Sequence, residues 1–172
     1  IIPKKAAHEI RHLLEEGKDG EPLIGFSKNL MIFRKSGLLL TSRLMEGNYP
    51  NYRQVIPAET KERVALGREE FLHAMRRAEI MTSEKSNSVK LSFGKNKLEI
   101  TANSPEVGEA KETLAINYKG PDLAIAFNPK YMIDPLAALT DDEVYLELID
   151  ELSPGVLKIN GPFLYVVMPM RL

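Results

Sequence analysis

The sequence contains no cysteine, which excludes a disulfide scaffold, a thiol nucleophile and any cysteine-based metal site. That absence fits a reducing compartment, and a cytoplasmic location is expected. A charge surplus is missing as well. The chain holds 23 Lys and Arg against 24 Asp and Glu, a formal net charge of −1. Any contact with nucleic acid must therefore come from local patches, because the molecule as a whole is not basic. No apolar run approaches the ~20 residues needed to span a bilayer, so no membrane role is expected. The opening Ile1-Ile2-Pro3-Lys4-Lys5 is neither a signal peptide nor a Met start, and it reads as the middle of a longer chain. There is no G-x-S-x-G, no glycine-rich phosphate loop and no acid–base pair built around a His. No catalytic residue and no cofactor are expected.

What is present is ordinary globular material. The chain has 172 residues, 44% apolar and 27% charged, enough for one domain or two small ones. Helix and strand periods separate well along it. Residues 3–16 place Ala6, Ala7, Ile10, Leu13 and Leu14 at helical spacing, with Pro3 at the first turn and Gly17 at the stop. Strands are predicted at Leu23–Ser27, Leu30–Arg34 and Leu38–Leu44, with turns at Lys28-Asn29 and Ser36-Gly37. An extended stretch follows, Gly47–Tyr52, leading to Val55-Ile56-Pro57. Glu62–Leu66 reads as a strand. Arg68–Met81 reads as a helix with Phe71, Ala74, Met75 and Ala78 on one face. Four strands are predicted at Val89–Phe93, Lys97–Ala102, Glu109–Tyr118 and Leu123–Phe127, then a helix over Pro129–Leu139. Val144–Ile149, Val156–Ile159 and Phe163–Met168 close the chain as strands.

An internal repeat organises these elements. Ile2-Pro3-Lys4, a helix and three strands recur as Asn128-Pro129-Lys130, a helix and three strands, offset by 126 residues from Pro3 to Pro129. The order of elements repeats better than the residues do. Two amphipathic helices with many antiparallel strands per unit imply an α+β fold whose helices lie side by side on the sheets. One complete unit spans 58–172, preceded by the back half of another.

Few residues carry recognisable chemistry. His8-Glu9-Ile10-Arg11-His12 matches H-E-x-x-H, in which two His one helical turn apart hold zinc and Glu activates a water. A catalytic zinc needs a third ligand, and the only other His is His73. His8, Arg11, His12 and Glu15 also lie opposite Ala6, Ile10 and Leu13, so a solvated helix face is the stronger reading. A zinc-dependent hydrolase remains the alternative from another class, and a generic peptide-binding module a second one.

Lys4, Lys5, Arg11 and His12 form a basic stripe on the first helix, and Arg68, His73, Arg76 and Arg77 form one on the second. Such stripes suit phosphate contacts without base readout, although Glu9, Glu15, Glu16, Glu69 and Glu70 dilute them. Residues 131–157 hold seven carboxylates and no Lys or Arg, which reads as a solvated acidic face. The ending Tyr165-Val166-Val167-Met168-Pro169-Met170-Arg171-Leu172 stays apolar where termini are usually polar. Tyr165–Val167 fits a last core strand. Met168–Leu172 has lost alternation, and its flexible Met side chains suit a surface that accepts several partner peptides.

At these residues the chain resembles the bacterial replicative sliding clamp family, the β subunit of the DNA polymerase III holoenzyme. The ending Tyr165–Leu172 resembles the family's carboxyl terminus. Glu46-Gly47-Asn48-Tyr49-Pro50-Asn51-Tyr52 with Val55-Ile56-Pro57 resembles its interdomain connector. Phe127-Asn128 with Tyr131, Asp134, Leu136 and Leu139 resembles its last helix. Leu98-Glu99-Ile100-Thr101-Ala102 with Glu106, Gly108, Ala110 and Glu112 resembles a strand pair of its third domain.

The resemblance implies a DNA-clamp fold with three similar domains per subunit and two subunits per ring around duplex DNA, bound without regard to sequence. Residues 1–57 would be the second half of the middle domain plus connector, and 58–172 the carboxyl-terminal domain. It implies a non-catalytic tether for the replicative polymerase, the clamp loader and repair proteins, which bind through short peptides. The full-length protein would form a homodimeric ring, and this portion alone would be monomeric.

By the same resemblance, the peptide pocket would use Pro50, Gln54, Val55, Asn128, Tyr131, Pro154 and Val156, completed by Val166, Val167, Met168, Pro169, Met170, Arg171 and Leu172. Another wall of that pocket, a Thr-Asp-Gly-His-Arg-type segment in the family, would precede Ile1, and position 54 is Gln where the family often carries a basic residue. Lys4, Lys5, Arg11, His12, His73, Arg76 and Arg77 would face DNA. Ile80 and Met81 would enter the subunit interface, with Glu106, Glu109 and Glu112 pairing with cations of the neighbouring subunit.

Overall fold

The computed structural model describes residues 1–16, 20–49, 51–83 and 87–171. The chain divides into two compact units, Ile1–Asn51 and Tyr52–Leu172.

The first unit opens with helix α1 (Lys4–Glu15). Pro3 stands in extended conformation at its N-cap, where a missing amide costs nothing, and its carbonyl accepts from Ala7 N at 3.1 Å. The predicted stop Gly17 lies outside the described residues. Three strands form an antiparallel meander: β1 (Leu23–Phe26), β2 (Leu30–Lys35) and β3 (Leu38–Arg43). In β2 the side chains alternate, with Met31, Phe33 and Lys35 buried and Leu30, Ile32 and Arg34 exposed. The β2–β3 turn is Ser36-Gly37, both at positive φ (48° and 83°), a conformation whose twist matches the flanking strands. Lys35 ends the buried row of β2 and is only 7% exposed. Its Nζ donates to the carbonyls of Leu13 and Leu14, each at 3.3 Å, which satisfies acceptors left open at the end of α1.

The second unit begins with a short 3-10 turn at Tyr52–Gln54, directly after the stretch predicted as extended up to Tyr52; Val55 N closes it on Tyr52 O at 3.2 Å. Two strand–helix–three-strand halves follow. The first is β4 (Glu62–Gly67), α2 (Arg68–Ile80), β5 (Val89–Gly94), β6 (Lys97–Ser104) and β7 (Gly108–Ala115). The second is β8 (Leu123–Phe127), α3 (Pro129–Ala138), β9 (Glu143–Leu148), β10 (Gly155–Lys158) and β11 (Leu164–Val167). The halves exchange their first strands. One sheet runs β7-β6-β5-β8 and the other β11-β10-β9-β4, all antiparallel. Helices α2 and α3 pack side by side.

Phe71, Leu72, Ala74, Met75 and Ala78 of α2 are buried, together with Met132 and Leu136 of α3, against inward residues such as Val64, Leu91, Ile100, Leu146 and Leu157. Gly155 is fixed by close approach, since a Cβ there would sit 2.8 Å from Cζ of the buried Phe127. The predicted repeat appears as α1-β1-β2-β3 and α3-β9-β10-β11, each a helix followed by a three-strand meander. Strand β7 stops three residues before its predicted end. Its partner β6 begins at Lys97, opposite Ala115, so the ladder has no further rungs; Ile116 N and Tyr118 O instead bond the Asn96 backbone at 3.2 and 2.9 Å.

Candidate partner-binding site

The carboxyl-terminal tail leaves the sheet after Val167, and Pro169 cannot donate to a further ladder rung. The tail then crosses to the other sheet. Met170 N donates to Ala126 O of β8 at 2.8 Å, an isolated antiparallel bridge. Beside this crossing lies an open pocket of about 490 Å³, lined by Asn128, Tyr131, Tyr165 and the run Val166–Met170.

Helix α3 positions the far wall. Asn128 caps the helix, its Oδ1 accepting from Lys130 N at 3.0 Å, and Pro129 fills the first helical position. That start exposes Tyr131 toward the tail. Burial raises the pKa of the Tyr165 hydroxyl, with the nearby Asp134 carboxylate adding to the rise, so the phenol stays neutral. The pocket offers apolar walls, two phenols and the thioethers of Met168 and Met170, and among the described residues no charged group lines it.

Not every anticipated residue reaches this pocket. Asn128, Tyr131, Val166, Val167, Met168, Pro169 and Met170 line it. Gln54 and Val55 are exposed and do not. Pro154 is half-buried and Val156 only 2% exposed, so Val156 presents no side chain to a ligand. Pro50 and Leu172 lie outside the described residues. Arg171 lines a neighbouring hollow of about 280 Å³ with Ala124, Ile125, Ala126, Glu151, Leu152 and Met170.

Met170 borders both cavities, and Leu152, 70% exposed, is a candidate that sequence reading missed. Asp150 Oδ1 accepts from the amides of Leu152 and Ser153 at 3.0 and 2.7 Å, a turn that presents Leu152 outward. The Ser153 hydroxyl and those two amides hold the Asp150 carboxyl below the usual aspartate range. The signal was an Asp two residues before a Leu flanked only by Glu and Ser.

The acidic face expected over residues 131–157 is not uniformly solvated. Glu147 is 6% exposed, and its Oε2 accepts from Lys158 Nζ at 2.7 Å and Thr60 Oγ1 at 3.2 Å, with Arg63 Nε 3.8 Å from Oε1. These partners sit outside the acidic run in sequence, and the sheet register brings them in: Arg63 of β4 pairs with Glu147, and on the other side Lys158 lies two residues along β10 from Val156, which also pairs with Glu147.

The basic stripes belong to different units. On α1, Lys4, Lys5, His8, Arg11 and His12 are exposed, and Arg11 Nε lies 3.5 Å from Glu15 Oε1. Among the described residues no three His, Asp or Glu side chains converge in a way that could hold a metal ion, and His8 and His12 stand on an open helix face. On α2, His73, Arg76, Arg77 and Ile80 share one exposed face. Arg77 Nε and Nη2 reach Oε1 and Oε2 of Glu112, both at 2.8 Å. Those hydrogen bonds hold the Glu112 carboxyl below the usual range and raise the Arg77 pKa.

The acidic residues of the anticipated subunit contact are not on one face. Glu109 and Glu112 point to opposite sides of β7, Glu106 lies in the preceding turn, and Glu112 is paired within its own chain rather than left for a neighbour. Ile80 is 67% exposed and Met81 half-buried.

Comparison with known proteins bears on this geometry. The chain matches the family model "DNA polymerase III beta subunit, C-terminal domain" over residues 53–171. It is 37% identical to the beta sliding clamp of Chlamydia pneumoniae over 172 residues, covering 100% of this chain and 46% of that protein. Against the beta sliding clamp of Staphylococcus aureus it is 34% identical, covering 99% of this chain and 46% of that protein. The crystal structure of a DnaN sliding clamp from Bartonella birtlesii bound to griselimycin superposes with a TM-score of 0.92 at 33% identity, covering 100% of this chain and 47% of that one. The chain thus spans about half the length of the curated relatives it matches. No helix among the described residues is long and apolar enough to cross a membrane. The exchanged-strand fold, the crossing tail and these matches together place the chain in the DNA polymerase III beta subunit family, the bacterial sliding clamps.

Proposed function

We propose that the protein acts as a cytoplasmic, non-catalytic sliding clamp, a two-subunit ring that encircles duplex DNA and tethers the replicative polymerase, clamp loader and repair proteins. Residues 1–57 would supply the back half of its middle domain and connector, and 58–172 its carboxyl-terminal domain. Encirclement makes retention topological, so weak phosphate contacts from Lys4, Lys5, Arg11, His12, His73 and Arg76 suffice and no base is read. The tether raises the polymerase's effective concentration at the primer end.

The observation that carries the reading is the pocket at the tail crossing, with Tyr131 and Tyr165 facing Met168–Met170 in a chain of this family. An extended peptide with Leu or aromatic anchors would bury them there, each contributing roughly 1.5–3 kcal/mol before ordering costs. Leu152 and Met170 extend the apolar surface past the tail, and we assign them to the same site in place of Val156. Titration of a polymerase-tail peptide against the chain with and without Met168–Leu172 tests the proposal. Deletion should abolish binding and leave helix content unchanged, because β11 ends at Val167. Equal binding by both forms would show that the tail is only packing.

A further inference from the structure

Arg77 stands on the exposed face of α2 with His73 and Arg76, where a phosphate contact would be assigned from sequence. Its guanidinium is already used. Nε and Nη2 form a two-point fork on Glu112, with both oxygens accepting at 2.8 Å. A matched Arg–carboxylate fork fixes orientation as well as distance. The acceptor is not a loose surface carboxylate. Glu112 is on the face of β7 that carries Ala110 and Leu114, both packed against the core. Strand β7 is the edge of its sheet, hydrogen-bonded on one side only, to β6. An edge strand lacks the second ladder that holds an inner strand, so a side-chain tie to α2 adds to its restraint. The ends of α2 and β7 also converge there: Ile80 and Val107 are exposed, and Met81 Sδ lies 4.0 Å from the Cβ position of Gly108.

We infer that Arg77 is a positioning residue that holds edge strand β7 against α2, and that phosphate contact on this helix falls to Arg76 and His73. The division of labour rests on the DNA-facing reading above; the strut itself does not. It would set the spacing between Ile80 and the free edge of β7, the surface offered to a neighbouring subunit.

The test uses this chain and two readouts. The first is the salt dependence of binding to a short fluorescent duplex. Arg76→Gln should flatten the slope of log K against log salt by about 0.9, one lost phosphate contact, and Arg77→Gln should leave it unchanged. The second is amide hydrogen exchange across Lys111–Thr113. Arg77→Gln and the nearly isosteric Glu112→Gln should each speed it about two- to fivefold, the range an ion pair of this exposure supports. Arg76→Gln should not, and the exchanged pair Arg77→Glu with Glu112→Arg should restore slow exchange. Arg77→Gln flattening the slope as much as Arg76→Gln, or unchanged exchange in Glu112→Gln, would overturn the inference. If no Arg variant alters the slope while β7 exchange still rises, the strut stands and the DNA-facing reading of α2 is the part that fails.

Discussion

Asp150 determines where Leu152 points, and the interaction is sensitive to pH. The Ser153 hydroxyl and the amides of Leu152 and Ser153 depress its pKa. For a carboxylate depressed in the folded state, the stabilisation is fully present above the ordinary aspartate pKa of ~3.9 and is lost as pH falls through the folded value. The Leu152 and Ser153 amide signals should therefore shift together at a midpoint below ~3.9 in nitrogen–proton correlation spectra, and Asp150→Asn should remove the response. A midpoint at or above that value would mean the turn does not hold in solution. This turn illustrates what was hard to read. The Met–Pro–Met tail was legible on its own as an apolar terminus, whereas Asn128 and Tyr131 were legible only through the family resemblance. Leu152 sat in an acid-rich stretch where composition masked the Asx turn. Val156 entered the site through the resemblance, and its burial was not legible because strand alternation separates two faces without saying which is covered. The pairings of Glu147 and Glu112 come from residues 11 to 87 positions away in sequence, beyond any local pattern.

At the level of elements the sequence was far more informative. Every helix and strand falls within a few residues of its predicted span, because apolar periods of 3.6 and 2 are cleanly separated and Gly, Pro, Asn and Ser punctuate them. The 3-10 turn at Tyr52–Gln54 escaped, since one short turn leaves no period to detect. The exchange of β4 and β8 between sheets is likewise invisible to periodicity. Element ends depend on tertiary partners, and Lys35 is the clearest case. Buried at the end of β2, it replaces a conventional cap by donating to Leu13 and Leu14 carbonyls. Lys35→Met keeps the apolar stem and removes the donor. It should cost the first unit about 1–2 kcal/mol through the two abandoned carbonyls, read as faster exchange of the α1 and β2 amides. Lys35→Arg should lose less. If Lys35→Met leaves exchange in α1 unchanged, the carbonyls are served by water and the cap is incidental.

Across the whole molecule the core is unevenly shared. The continuous cluster of buried side chains runs from Val64 to Val167, entirely within Tyr52–Leu172. The first unit buries Ala6, Met31 and Phe33, while Leu23, Ile24, Phe26 and Leu39 are exposed. A unit of this size buries only about 60% of its unfolded surface, so its own stability is small. Unfolding should therefore proceed in two steps, with the first unit opening before the second. Methionine methyl signals report on each unit separately: Met31 lies in the smaller core, Met75 and Met132 in the larger, and all three are fully buried. Through a urea titration the Met31 signal should be lost at lower denaturant than those of Met75 and Met132, whose losses should coincide. Residues 52–172 produced alone should keep the later transition at nearly the same midpoint, since no member of their core cluster has been removed. Coincident loss of all three signals would show instead that the two units fold as one cooperative body, and the shorter chain should then unfold earlier than the whole.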